Sequence, residues 1–139
     1  MEAGKPYDFE VRIAYADTDR MGVVYYANYL VLFERGRTEF MRNAGLRYRD
    51  LEEKERLFMP VMEAHVDYMA PARYDDLIRV RTTVTDVRSR TVKFDYRIED
   101  ATTGMRLASA STTLASINRE GKLVALPAEV RKLMEDARS

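Results

Sequence analysis

Hydrophobic and polar residues alternate along five stretches of the chain, which is the pattern of strands that bury one face. The alternation is clearest at Ile78, Val80, Thr82 and Val84. Turn-forming residues separate the later stretches, and joints this short predict antiparallel hairpins. The five predicted strands cover residues 7–16, 58–69, 77–87, 91–100 and 105–117.

The hydrophobic period becomes helical over residues 27–44, where apolar residues recur every three or four positions. Gly36 lies inside this predicted helix and weakens it by about 1 kcal/mol relative to alanine. Two interpretations are open: close approach of the helix to a sheet, or a glycine that is merely tolerated. Residues 47–56 are polar and predict a loop with a short helical turn. Residues 127–137 predict a terminal helix with proline near its first turn.

The predicted elements follow one another as a strand, a long helix, four strands and a short terminal helix. An antiparallel sheet with one apolar face needs a cover, and the long helix provides it. We find no linker, repeat or low-complexity tract, so we predict one domain over residues 1–139. The predicted fold class is therefore α+β.

Composition narrows the possible functions. The chain has 23 basic and 23 acidic residues, so its zero net charge gives no overall field that attracts nucleic acid or an anionic membrane. It has no cysteine and only one histidine, His65, which excludes thiolate nucleophiles, disulfides and zinc sites built on several imidazoles. No apolar run approaches the length of a membrane span, and residues 1–6 lack the apolar core of a signal peptide. We expect a cytoplasmic protein.

The candidate chemistry lies between the first strand and the long helix, where Asp17 and Asp19 occupy a turn. A helix start presents free backbone N–H groups that can stabilise a developing oxyanion. A carboxylate nearby can attack a carbonyl or activate water. The structural alternative is that both carboxylates form an Asx turn and cap the chain, and spacing alone favours this alternative.

Two segments of the sequence carry a resemblance to a known family. The first reads Tyr15-x-Asp17-Thr18-Asp19-x-x-Gly22-Val23-Val24-Tyr25-Tyr26-x-Asn28-Tyr29, followed by Phe33-Glu34-x-x-Arg37-x-Glu39. The second reads Tyr68-x-x-Pro71-Ala72-x-x-Asp75-Asp76. Both resemble the signatures of the hotdog-fold thioesterases of the 4-hydroxybenzoyl-CoA thioesterase class. Together with the strand order, the resemblance covers residues 7–126.

The resemblance implies a hotdog fold, in which a curved antiparallel sheet wraps a long helix. It implies hydrolysis of a small or medium acyl-CoA in a homodimer or homotetramer, with active sites at the dimer interface and no cofactor or metal. Asp19 matches the family's catalytic carboxylate, and the backbone N–H of Tyr26 matches its oxyanion donor. Gly22 matches a family glycine and permits the tight loop, while Asp17 matches an accompanying position that shapes the loop.

Other residues are candidate substrate contacts. Tyr25 adjoins the predicted donor, although the aromatic residues of this region fit a core better than an acyl pocket. Glu63 lies in a predicted strand and is a further candidate. Arg88 and Arg90 flank a predicted hairpin turn, and their positive charges are suited to bind the three negatively charged phosphate groups of CoA. The alternative for this arginine pair is a solvated charged turn.

Rival functions are distinguished by residues that the chain contains or lacks. A hydratase on the same fold would use a catalytic histidine near the central helix, and residues 27–44 contain none. His65 falls in a predicted strand, where a structural role is expected. A non-catalytic acyl-CoA-binding or regulatory hotdog protein remains the alternative, because a sequence does not show turnover.

Overall fold

The computed structural model describes residues 5–138 and contains one five-stranded antiparallel sheet with three α-helices. The strands are β1 (Tyr7–Arg12), β2 (Val61–Tyr68), β3 (Leu77–Val87), β4 (Thr91–Asp100) and β5 (Arg106–Ala115). The helices are α1 (Asn28–Asn43), α2 (Tyr48–Lys54) and α3 (Ala128–Asp136). Strand order across the sheet is β1-β3-β4-β5-β2, which places β1 and β2 at opposite edges. The predicted α+β class and hotdog fold are confirmed.

The predicted elements are all present, and their ends differ for local reasons. β1 stops at Arg12 rather than at residue 16, because the chain turns into a short 3-10 helix at Tyr15–Asp17. β2 begins at Val61 rather than at residue 58, since Phe58 forms only an isolated bridge to Ile117. The polar segment 47–56 contains a seven-residue helix, which is more regular than predicted.

Helix α1 covers the apolar face of the sheet, as the alternation predicts. Phe33 and Phe40 point from α1 into the core and pack on Tyr96 and Phe94, with ring centroids 4.8 Å and 6.0 Å apart. Gly36 lies directly against β3. A Cβ atom built on it would lie 2.7 Å from Val80 Cγ1, so the interpretation of close approach is correct.

Strand β2 is an open edge, because β5 is its only neighbour among the described residues. All of its residues except the half-buried Val66 are exposed. The β2–β5 register pairs Ala64 with the buried Thr112, so the side chains of Ala64 and Val66 face α1. Glu63, by alternation, faces the opposite side of the sheet.

Residues 1–4 and 139 lie outside the described residues, so the expectation based on the N-terminal residues is not tested there. None of the helices described within residues 5–138 is long and apolar enough to cross a membrane.

Candidate active site

The loop between β1 and α1 is held in place largely by Asp17. Its carboxylate Oδ2 accepts the backbone N–H of Ala14 at 2.8 Å. Its carbonyl oxygen accepts the N–H of Tyr25 at 3.0 Å and the side-chain amide of Asn28 at 2.9 Å. Asp17 therefore fastens the loop to the start of α1, in agreement with the loop-shaping role preferred for it. Asn28 is the first residue of α1, and Ala27 occupies the N-cap position.

Asp19 occupies a tight turn next to this anchor. Its backbone carbonyl accepts the N–H of Gly22 at 3.0 Å, and its own N–H donates to Val23 at 2.9 Å. Gly22 has a φ of +79°, the left-handed conformation that glycine adopts without strain. Carboxylate Oδ1 accepts the N–H of Met21 at 2.8 Å, which is the Asx turn considered as the structural alternative. The side chain is half-buried, and its Oδ2 makes no hydrogen bond with any described residue, so this oxygen is available for chemistry.

The backbone N–H of Tyr26 lies just before the first turn of α1. Every described peptide bond is trans, so this N–H points opposite to the carbonyl of Tyr25 in the same peptide. That carbonyl accepts the N–H of Asn28 at 2.8 Å and so points toward the helix. The Tyr26 N–H consequently points out of the helix start and donates to no acceptor within residues 5–138. It is a main-chain donor of the kind that stabilises an oxyanion.

A cavity of about 300 Å³ adjoins this donor. Its lining residues are Val24, Tyr26, Tyr29, Tyr68, Met69, Ala70 and Pro71. Burial raises the pKa of the Tyr29 phenol, whose oxygen accepts the N–H of Ala72 at 3.3 Å. Burial also raises the pKa of the Tyr68 phenol, with smaller contributions from Tyr29 and Tyr26. Both phenols therefore remain protonated at neutral pH, and the cavity is largely apolar with hydroxyl groups in its wall.

Tyr25 is exposed beside the same loop, and its ring packs against that of Tyr26 with centroids 4.8 Å apart. The neighbouring Tyr26 phenol is the main cause that raises the pKa of Tyr25, and the negative charge of Asp19 adds to it. The Asp19 carboxylate is therefore close enough to the Tyr25 hydroxyl to affect its ionisation. The structure brings Asp19, Gly22, Tyr25 and Tyr26 together on one loop.

The remaining candidate residues lie elsewhere in the chain. Arg88 and Arg90 are exposed in the β3–β4 hairpin, where Arg88 pairs with Asp86 at 2.9 Å. This hairpin lies at the far end of β3, about 30 Å along the strand from the Asp19 loop. Glu63 lies on the sheet face opposite α1 and several residues before the end of β2 that contacts Tyr26. One chain alone does not bring these three residues to Asp19.

The outer face of the sheet carries a second recess of about 410 Å³. Its charged lining residues are His65, Asp67, Arg81, Lys93, Asp95, Arg97 and Arg106. His65 lies 3.2 Å from Asp67 on the exposed strand β2, away from α1. Among residues 5–138, no group of three or more acidic or histidine side chains is arranged to hold a metal ion.

Sequence reasoning assigned no role to Tyr68, although it begins the second signature. Its hydroxyl donates to the carbonyl oxygen of Tyr26 at 2.7 Å, across 42 positions of sequence. Its ring packs edge-on against Tyr29, with centroids 5.0 Å apart. The signature identified Tyr68, but only the folded chain shows what it contacts.

A helix packed in an antiparallel sheet, with a carboxylate and an outward-pointing amide at the helix start, defines a protein of the hotdog thioesterase class. The chain belongs to the thioesterase-like superfamily, whose family model matches residues 13–134. It is 39% identical over 127 residues to the acyl-CoA thioesterase YbgC of Haemophilus influenzae, which covers 90% of this chain and 91% of that protein. The family resemblance carried by the two signatures is confirmed.

Solved structures agree with this assignment. A probable thioesterase from Bartonella henselae superposes with a TM-score of 0.83 and 36% identity, covering 88% of this chain and 100% of the other. A 1,4-dihydroxy-2-naphthoyl-CoA thioesterase from Synechocystis superposes with a TM-score of 0.86 and 26% identity, covering 94% and 96%. The family match over residues 13–134 includes the loop and the helix that hold the candidate site.

Proposed function

We propose that this protein hydrolyses the thioester of a small or medium acyl-CoA to the free acid and CoA. The observation that carries the proposal is that one loop holds both the Asp19 carboxylate and the outward-pointing Tyr26 N–H, with an apolar cavity lined in part by Tyr26. Family membership and the acyl-CoA thioesterase of H. influenzae support the same chemistry. The acyl group would enter the cavity lined by Tyr29 and Tyr68.

In this proposal the thioester carbonyl oxygen accepts the Tyr26 N–H. Asp19 either takes a proton from water, whose oxygen attacks the carbonyl carbon, or attacks that carbon itself to form an anhydride that water then cleaves. In both routes the C–S bond breaks and its electron pair leaves with sulfur. A thiol has a pKa of about 8.5, so the thiolate departs without a strong general acid. A base or nucleophile and one oxyanion donor are therefore sufficient.

Release of free thiol from acetyl-, butyryl-, octanoyl- and benzoyl-CoA tests the proposed reaction. We expect steady turnover of at least one of them by the wild-type protein. Binding of an acyl-CoA without thiol release would instead support the alternative, a non-catalytic acyl-CoA-binding or regulatory protein. The same panel, repeated with acyl carrier protein as the thiol carrier, would identify the preferred carrier.

We further propose that two chains pair through β2. This edge strand has eight residues, and on its outer side its backbone groups pair with no other strand of residues 5–138. It carries exposed apolar side chains at Val61, Met62 and Tyr68, and Met69 directly after it is also exposed. Antiparallel pairing would bring the start of one β2 beside the end of the other. Glu63 of a second subunit would then approach the edge of the cavity, which keeps it a candidate substrate contact.

Replacing both Met62 and Met69 by lysine is expected to dissociate this dimer, because antiparallel pairing would place like charges opposite each other. Light scattering should give at least twice the chain mass of 16.1 kDa for the wild type and half of the wild-type mass for the double variant. Leu123→Lys is the control, since Leu123 is similarly exposed but lies outside β2, where it forms a bridge to Ile117. A wild-type protein that is monomeric at assay concentration would contradict the pairing.

Three further properties expected from the sequence stay predictions. They are a single domain over residues 1–139, assembly of two dimers into a homotetramer, and a cytoplasmic location. Binding of CoA phosphates at Arg88 and Arg90 also stays a prediction, and it requires these residues to come from a neighbouring subunit. Double replacement by glutamine would then raise KM for acyl-CoA without changing kcat.

A further inference from the structure

The peptide units on either side of Tyr26 are fixed by two separate hydrogen bonds. The carbonyl of Tyr25 is held by the N–H of Asn28 in the turn that leads into α1. The carbonyl of Tyr26 is held by the hydroxyl of Tyr68, which donates at 2.7 Å from the end of β2. Within α1, the Tyr29 N–H reaches the Tyr26 carbonyl only at 3.4 Å. Tyr68 is therefore the main partner of this carbonyl.

The direction of the Tyr26 N–H depends on both peptide units. They meet at the Tyr26 Cα atom, and the chain is held before it by the Tyr25–Asp17 hydrogen bond and after it by α1. A rotation of the second unit therefore requires a compensating rotation of the first. Tyr26 is exposed at 63%, so its own side chain packs too loosely to prevent that rotation. A fixed donor stabilises the transition state more than a mobile one, because no free energy is then spent on reorienting the donor during the reaction.

Tyr68 is itself held firmly although it is half-exposed. Its ring meets Tyr29 edge-on, and Tyr29 is 3% exposed. The Tyr29 oxygen in turn accepts the N–H of Ala72, which is fully buried. The backbone of Ala72 also accepts the N–H of Val24 at 2.8 Å, inside the loop that carries Asp19. A continuous set of contacts thus connects the end of β2 with both halves of the site.

We propose that Tyr68 is a positioning residue for thioester hydrolysis, and that its hydroxyl fixes the Tyr26 peptide so that the N–H is aimed at the carbonyl oxygen of the substrate. This inference rests on the proposed function, because it assumes that the Tyr26 N–H is the oxyanion donor. The aromatic ring of Tyr68 lines the cavity wall, whereas the effect on the donor comes from its hydroxyl alone. The two contributions are separable by removing one oxygen atom.

Tyr68→Phe is expected to lower kcat about 10-fold while KM stays within about 2-fold, because the donor remains but is no longer held in the aligned position. The substrate is the acyl-CoA with the highest kcat/KM in the panel. The melting temperature should change little, since the lost bond is exposed. Tyr74→Phe is the matched control: it removes the same oxygen from an exposed tyrosine that makes no hydrogen bond with residues 5–138, and kcat should not change.

An infrared measurement reports on the donor directly. In an Asp19→Asn background, which slows turnover, the carbonyl stretch of the bound thioester measures how strongly the Tyr26 N–H polarises it. The probe is the same acyl-CoA, or benzoyl-CoA if none is hydrolysed. We expect a higher stretching frequency when Tyr68→Phe is added, and no change when Tyr74→Phe is added.

Each outcome supports or overturns the role of Tyr68. An unchanged kcat with an unchanged carbonyl stretch overturns it. Equal losses in kcat, substrate affinity and melting temperature also overturn it, because they indicate a structural role. The failure of the proposed function has a separate signature: the wild type would then release no thiol from any acyl-CoA in the panel, whatever the infrared spectra show.

Discussion

Replacing Asp19 by asparagine should reduce kcat for acyl-CoA hydrolysis by at least about 100-fold, as expected when an essential base or nucleophile is removed. The amide has nearly the same shape, and its oxygen can still accept the N–H of Met21, so the turn is retained. What is lost is the negative charge and the ability to take a proton or attack a carbonyl. Free-thiol release under saturating acyl-CoA measures the change.

The matched control is Asp17→Asn, two residues earlier on the same loop. The Asp17 carboxylate accepts a hydrogen bond from Ala14, which an asparagine oxygen can also accept. We expect kcat to fall less than about 5-fold, because this side chain supports the loop and does not reach the substrate. Equal rates for wild type and Asp19→Asn would refute the assignment of Asp19, and a larger loss at Asp17 would transfer the catalytic role to it.

Gly36→Ala should destabilise the fold by about 2 kcal/mol, although alanine is the better helix former. The gain in helix propensity is about 1 kcal/mol. Against it, the new methyl group would lie 2.7 Å from Val80 Cγ1 and 2.8 Å from Thr82 Oγ1, and overpacking of this kind costs about 3 kcal/mol. Both neighbours are β-branched residues in the middle of β3, so neither can turn away easily. The free energy of unfolding in urea measures the net effect.

A double-mutant cycle identifies the contact responsible. Val80→Ala removes the Cγ1 atom that the added methyl group would meet. The cost of Gly36→Ala should therefore shrink by about 1 kcal/mol or more in the Val80→Ala background. A Gly36→Ala protein that is more stable than the wild type would show that helix propensity outweighs the contact with β3.

Much of the fold and part of the site could be predicted from the sequence. Alternation over residues 77–100 indicated two strands whose ends match β3 and β4. A strand that buries every second side chain needs an apolar residue at every second position, so neighbouring residues are enough to identify it. The position of Asp19 between a strand and the start of a helix could also be predicted from the sequence. The hydrogen bonds of the Asp19 turn span only a few residues, so local sequence is sufficient to place them.

The contacts that complete the site depend on the tertiary structure. Tyr68 reaches Tyr26 only because β2 lies at the edge of the sheet and ends beside α1, and no local pattern specifies that strand order. Local pattern also did not indicate that Glu63 faces away from α1. Alternation fixes only which side chains of β2 share a face, and the pairing of Ala64 with the buried Thr112 decides which face is turned toward α1. The β3 strand separates Arg88 from Asp19 by its whole length.

The sequence by itself determined the secondary structure, the α+β class and the loop that carries Asp19, because these follow from residues adjacent in the chain. The close approach at Gly36, left open by the helical pattern, was decided by the packing of α1 on β3. The tertiary structure also decided that the Tyr26 N–H points outward and that Tyr68 holds its peptide. Such contacts join residues far apart in sequence, and they form only when strand order and register have been set.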